Sequence, residues 1–440
     1  LVCHYTTAYE DLAKDPEHFS SLRNKLEATS FQIIASEDAR WRENLKRIPS
    51  TIQDDQNIIK KFNSQCSVPA FFSARLPEEV LSEIISLTCQ YSSILEVGFV
   101  ESLAPFVRKK SHSVSGYYFF SPSICMEEGR SILTLPFPDQ AFDVVIVSHT
   151  LEFLEEKDLV SMLSELHRVA RKALFFVIPP VSENSLPGYR KIRQNRVWWE
   201  TKCFESGMRK HSNYYEILSL EQLNNDVNWI LLPMEPIPEA VNHEYSLAKL
   251  QKEILLHMDM LRSSGRRADA HCVRYQKAAA LIREGDVVLD LACGYGYGSK
   301  ILFENSLAKS VLGIDNSAGS IEYALRNYGS EELKFQQGDA QDLVNLPDNS
   351  IDFVTGFETI EHLPDPDKYL DEIKRVLTPG GRVILSAPNM WVNEDGKDPN
   401  PNHLHVYSWE KLKNQFHAVP SCHIICCVLH GIFSTLSFLF

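Results

Sequence analysis

The chain has 440 residues, 44% of them hydrophobic and 23% charged, and a net charge of −14. That is an ordinary globular balance with core enough for two or three domains. So acidic a chain repels phosphate backbones, so no nucleic-acid partner is expected. Ten cysteines are scattered without a paired Cys-x-x-Cys framework. Cys422, Cys426 and Cys427 cluster near His423 and His430, but in no zinc spacing, so reduced thiols in a cytoplasmic protein are expected.

The chain opens on Leu1 rather than Met, and its first twenty residues carry acids and no apolar core, so no secretory signal is expected. Residues 1–90 read as a helical N-terminal extension. Asp15-Pro16-Glu17 is a helix start, Trp41 belongs to a packed and solvated face, and Leu76 to Leu87 is amphipathic. Residues 91–236 turn to an α/β pattern. Strands are expected at Ile94 to Gly98, Val114 to Tyr118, Val144 to Val147 and Ala173 to Ile178, with a helix over Leu159 to Val169. Trp198-Trp199, Cys203-Phe204 and Arg209-Lys210-His211 make a basic aromatic stretch, read as packing with solvated charge rather than a sugar or anion site.

Residues 237–284 read as a helical linker and cap, Tyr245 to Leu261 and Arg266 to Ile282, broken at Gly265. From 285 to 440 the α/β order returns, with strands at Val287 to Leu291, Ser310 to Asp315, Leu333 to Asp339, Phe353 to Gly356 and Arg382 to Ala387. The nearly uncharged run Ser421 to Phe440 is read as strand, turn at His430-Gly431, and strand, in preference to a membrane anchor. The halves answer one another in order. Leu135 to Asp143 matches Leu346 to Asp352, Glu152-Phe153-Leu154 matches Glu361-His362-Leu363, and Arg168-Val169 matches Arg375-Val376. This is read as a divergent internal duplication.

The chemistry centres on Asp290-Leu291-Ala292-Cys293-Gly294-Tyr295-Gly296-Tyr297-Gly298, an apolar strand ending in an acid and three alternate glycines. Glycines there allow a tight turn and close backbone approach to a ligand. Asp315 ends the second strand, where a carboxylate can accept ribose hydroxyls. Asp339 ends the third, where it can accept from an adenine amine. Phe357, after the fourth, can pack on a base.

With those motifs, Arg375-Val376-Leu377-Thr378-Pro379-Gly380-Gly381 and Phe357-Glu358-Thr359-Ile360-Glu361-His362-Leu363, residues 270–420 resemble a class I S-adenosylmethionine-dependent methyltransferase. Within that class they are similar to ubiquinone-biosynthesis methyltransferases and to those encoded beside glycan-assembly enzymes. The resemblance implies two doubly wound Rossmann-like α/β domains, the first degenerate. It implies S-adenosylmethionine as cofactor, held by Tyr275, Asp290, Ala292, Gly294, Gly296, Gly298, Asp315, Asn316, Asp339, Ala340 and Phe357. Gly294, Gly296 and Gly298 lack the GxGxxG spacing of a nicotinamide site. Thr355-Gly356-Phe357-Glu358 replaces the Asn/Asp-Pro-Pro-aromatic box of base N-methylases.

The expected acceptor is a hydroxyl of a small molecule or glycan intermediate, and His362, His403 and His405 are the candidate bases. The alternative is a non-catalytic scaffold keeping the fold. Ubiquinone-type enzymes associate a Glu-x-x-Glu-His set with a divalent metal. Glu358, Glu361 and His362 share one face if helical, but they are read as a helix-start acid cluster, and no metal is assigned. In the first repeat Glu96-Val97-Gly98 runs into Phe99-Val100-Glu101-Ser102 and Tyr117-Tyr118 stands in place of the ribose acid. That domain is expected to serve as scaffold, homodimer surface or acceptor platform.

Overall fold

The computed structural model describes residues 78–88, 90–98, 116–120, 133–135, 137–180, 190–217, 229–252, 258–388, 392, 396, 398–417, 423–430 and 434–437. The readings of residues 1–77, of Phe99 to Ser102 and of Cys422 lie outside these. The chain divides between Arg193 and Gln194 into two compact units.

In the first unit, α1 (Glu78–Thr88) precedes β1 (Ser93–Gly98), β2 (Gly116–Phe120), β3 (Phe142–Ser148), α2 (Glu156–Val169) and β4 (Ala170–Ile178). The strands run parallel in the order β2-β1-β3-β4, with Ile94 opposite both Tyr117 and Val144. Every residue of β1 and β3 is buried, which is why these strands read as continuous apolar runs. Leu159, Met162, Leu163 and Leu166 form the buried stripe of α2.

The second unit begins with α3 (Arg196–Glu205) and β5 (Met208–Lys210), which pairs antiparallel with β6 (Ile230–Pro236). Helix α4 (Arg266–Ala279) then leads into β7 (Val287–Leu291), α5 (Tyr297–Glu304), β8 (Ser310–Asp315), α6 (Ala318–Tyr328) and β9 (Leu333–Gln337). After them come β10 (Ile351–Phe357), α7 (Pro366–Val376), β11 (Leu377–Pro388), α8 (Trp409–His417), β12 (His423–His430) and β13 (Ser434–Ser437). Their order is β13-β12-β11-β10-β7-β8-β9, parallel except for β13, which is antiparallel to β12. The C-terminal apolar run thus forms two strands, and no helix among the described residues is long and apolar enough to cross a membrane.

Helix α7 shows why the local sequence suffices. Asp365 caps it by accepting from Lys368 N at 3.1 Å, Pro366 begins it, and Lys374 and Arg375 close it. Its buried face, Tyr369, Leu370, Ile373 and Val376, joins Leu289, Val354 and Leu385 in the core. Strand β7 has β8 on one side and β10 on the other, so the chain turns both ways at its carboxyl end. Open α/β sheets bind ligands at such a switch point.

Several local contacts have counterparts in both units. Arg168 donates to Glu165 (2.9 and 2.8 Å), Asp139 (2.8 Å) and the carbonyls of Phe137 (2.7 Å) and Leu135 (3.1 Å). Arg375 donates to Glu372 (2.9 Å twice), Asp348 (2.7 Å) and the carbonyls of Leu346 and Leu343 (both 2.8 Å). The Glu152 carbonyl accepts from Lys191 N and Ile192 N, as the Glu361 carbonyl accepts from Leu404 N and His405 N. Single 3₁₀ turns, Leu151–Phe153 and Ile360–His362, follow β3 and β10.

Candidate active site

Asp290 sits near the end of β7 and is wholly buried. Its Oδ1 accepts from the Tyr275 hydroxyl at 3.2 Å and Thr355 Oγ1 at 2.8 Å, and its Oδ2 from Ser299 Oγ at 2.7 Å. Burial pushes its pKa up to about 6 against the pull of those three hydroxyls. Three neighbouring elements are thereby tied to the root of the glycine loop: α4 through Tyr275, α5 through Ser299 and β10 through Thr355.

The loop then takes left-handed backbone at alternate residues, with φ of 58° at Ala292, 54° at Gly294 and 77° at Gly296. Gly296 caps α5. A Cβ there would lie 2.6 Å from the Phe335 ring, and one on Gly298 would lie 2.1 Å from the Tyr275 ring. These two glycines therefore let neighbouring rings close on the loop from behind. Gly294 is tied forward, its N–H donating to Asp315 Oδ2 at 2.9 Å.

Asp315, at the end of β8, also accepts from Ser317 N on Oδ1 at 2.9 Å. An ionised carboxylate has about four acceptor sites, so two remain for hydroxyl donors. Asp339 is exposed beyond β9, its Oδ1 held by Gln341 N at 2.8 Å. Asn316 is exposed beside Asp315, and Ala340 is buried behind Asp339. Phe357 closes β10 with its ring 4.8 Å from the Tyr275 ring. The acids and glycines expected to hold the cofactor thus lie on consecutive turns at the carboxyl ends of β7, β8 and β9. These carboxylate acceptors suit a ligand that bears ribose hydroxyls.

On the other side of β7 the expectation for Glu358 needs correction. Glu358 takes a φ of 52°, and only Ile360–His362 forms a turn, a 3₁₀ one. So Glu358, Glu361 and His362 do not share a helical face. Glu358 pairs with Arg274 at 3.0 Å and accepts from Ser386 Oγ at 2.8 Å. Against the upward push of burial, Arg274, His271 and Ser386 hold its carboxyl below the usual range. Burial and then the Glu358 charge push the Glu361 carboxyl well above the usual carboxylate range. Burial, then Arg274, lowers His271 to about 4.

The three histidines separate by their partners. His405 Nε2 lies 2.9 Å from the Leu363 carbonyl and donates to it. His362 Nδ1 lies 3.0 Å from the Asn402 carbonyl. His403 Nδ1 lies 2.7 Å from Asp398 Oδ2, an orienting carboxylate that motif reading missed, although it stands only five residues earlier. With the proton on Nδ1, Nε2 of His403 is the basic nitrogen. The His362 and His403 rings meet edge-on at 4.7 Å. Glu361, His362 and His403 also offer ligand atoms within 4.8 Å of one another, a spacing for a divalent cation.

The basic stretch of α3 and β5 is also corrected: Arg209 and Lys210 are buried and paired rather than solvated.

The second unit has the doubly wound parallel sheet and the strand-end acids expected of a class I S-adenosylmethionine-dependent methyltransferase. Residues 106–178 and 289–385 match the family model described as a methyltransferase domain. A probable S-adenosylmethionine-dependent methyltransferase of Mycolicibacterium smegmatis is 34% identical over 136 residues, 31% of this chain and 51% of that protein. A fatty-acid O-methyltransferase of the same species is 36% identical over 112 residues, 26% of this chain and 40% of that protein. The sterol 24-C-methyltransferase of Aspergillus fumigatus is 36% identical over 130 residues, 28% of this chain and 33% of that protein. The chain thus spans about half or less of the curated relatives it matches.

Proposed function

We propose that the chain transfers a methyl group from S-adenosylmethionine to a hydroxyl of a small molecule or glycan intermediate. The observation that carries the choice of oxygen is the Asp398–His403 pair. A hydroxyl acceptor must lose a proton as it attacks, and a neutral imidazole held in one tautomer by a carboxylate can take it. When bound, the cofactor supplies an electrophilic methyl on a sulfonium. Asp315 would receive ribose hydroxyls, Asp339 the adenine amine, and the glycine loop the methionine portion. His403 accepts the acceptor's proton on Nε2, and Asp398 stabilises the imidazolium. Tyr275 and Phe357, packed edge to face, wall the site on the side of α4.

We further propose that the two units descend from one duplicated domain and that only the second keeps a cofactor site. The paired Arg168 and Arg375 clamps and the two segments that match the family model support this. The test is calorimetry of the full chain with S-adenosylmethionine. The parent should bind one equivalent, and Asp315→Ala should bind at least tenfold more weakly. A parent that binds none overturns the proposal. A panel of acceptors with isotopically labelled methyl donor, read by mass spectrometry, then identifies the acceptor.

A further inference from the structure

The second unit contains a buried ionic cluster that lies outside both segments matched by the family model. Arg196 of α3 donates to Asp269 of α4 through Nη1 at 3.1 Å and Nη2 at 2.5 Å, and to Glu200 Oε1 at 2.6 Å. Lys210 of β5 donates to the Tyr215 hydroxyl at 2.6 Å and lies 3.5 Å from Glu200 and 3.6 Å from Asp269. Tyr214 donates to Glu200 at 2.6 Å, and Tyr215 to Asp269 Oδ1 at 2.9 Å. Lys210 and Glu200 have no exposure, Asp269 has 1% and Arg196 has 9%. Two cations face two anions, so the cluster is neutral as a whole. Removing one member strands its partner in a desolvated place, which such a site tolerates poorly.

Asp269 lies in the first turns of α4, and the same helix delivers Arg274 and Tyr275 to the site. Tyr275 holds Asp290, backs Gly298 and packs on Phe357, while Arg274 holds Glu358. A helix is stiff along its axis, so fixing one turn fixes the setting of the next. The bidentate Arg196–Asp269 contact specifies direction as well as distance.

We propose that residues 194–217 belong to the cofactor-site apparatus, with the Arg196–Glu200–Lys210–Asp269 cluster setting α4 so that Tyr275 meets the glycine loop. Asp269 is thus a positioning residue that acts through Tyr275. The inference rests on the reading of the second unit as the cofactor-binding one. It assigns to α3 and β5 a role that a merely stabilising core would not have.

The test is a double-mutant cycle on the full chain, with S-adenosylmethionine affinity by calorimetry and folding followed by near-ultraviolet circular dichroism. Asp269→Asn and Tyr275→Phe should each weaken binding at least tenfold. The double variant should lose no more than the larger single loss, because both remove one arrangement. Should Asp269→Asn fail to fold, Arg196→Lys, which keeps the charge and loses the bidentate geometry, carries the same cycle. Unchanged affinity in the folded Asp269 variant, or additive losses, overturns the inference while leaving the cofactor reading intact. A parent that binds no cofactor overturns both.

Discussion

Asp398 Oδ2 stands 2.7 Å from Nδ1 of His403, and both side chains are nearly buried. This pairing distinguishes His403 from His362 and His405, whose ring nitrogens meet backbone carbonyls, and it makes the base assignment testable. His403→Ala should lower kcat by about 10²–10⁴-fold, the usual worth of general-base catalysis. Cofactor affinity should be unchanged, since His403 is not among the residues proposed to hold the cofactor. Asp398→Asn should reproduce most of the kcat loss, because the amide can donate to Nδ1 and push the proton onto Nε2. Full turnover in both variants would remove His403 from the mechanism.

His405 should behave differently. Its Nε2 donates to the Leu363 carbonyl, and its own N–H donates to the Glu361 carbonyl. Both bonds pin the loop after β11 to the turn after β10. His405→Gln retains a donor for Leu363 and should keep kcat, with a modest fall in melting temperature. A large loss of kcat at constant stability would return His405 to the list of bases.

The glycine loop gives a third expectation. A methyl group on Gly298 would meet the Tyr275 ring at 2.1 to 2.4 Å, whereas one on Gly319, in the first turn of α6, would meet nothing within 4 Å. Overpacking of this kind costs about 1–3 kcal/mol, while Gly→Ala in an open helical position gains up to about 1 kcal/mol. Denaturant unfolding of Gly298→Ala and Gly319→Ala should move in opposite directions, and only Gly298→Ala should weaken cofactor binding. Equal shifts would mean that Tyr275 does not back the loop.

The parts of this site that the sequence makes legible are those whose signal is local. The apolar run of β7, its acid and its glycines are contiguous, and the acids at Asp315 and Asp339 each close a strand. Arg375 and Arg168 could be matched because their partners lie on the same short helix and the preceding loop. What the sequence hides depends on distant pairing. Arg196 and Asp269 are 73 residues apart, and Arg209 and Lys210 look solvated because basic side chains are rarely buried unless paired. Their partners Glu235, Glu200 and Asp269 carry no spacing that announces them. The Glu358 to His362 segment misleads for another reason. A single 3₁₀ turn has three residues per turn, so the helical face drawn through Glu358, Glu361 and His362 does not exist.

Asp290 links the site to stability through pH. Burial raises its pKa from 3.8 to about 6. Below pH 4 both folded and unfolded chains hold its proton, and above about pH 6 neither does. Between these values the folded state keeps the proton and the unfolded state releases it, so stability falls as pH rises through the window. A shift of this size corresponds to about 3 kcal/mol. Asp290→Asn cannot ionise, yet its amide can still meet the hydroxyls of Tyr275, Ser299 and Thr355, which can turn to suit. Measured by urea unfolding from pH 4 to pH 7, the variant should gain on the parent by about that amount and then hold a constant difference. Parallel curves for the two proteins across this range would show that Asp290 ionises in the folded protein as easily as in the unfolded chain.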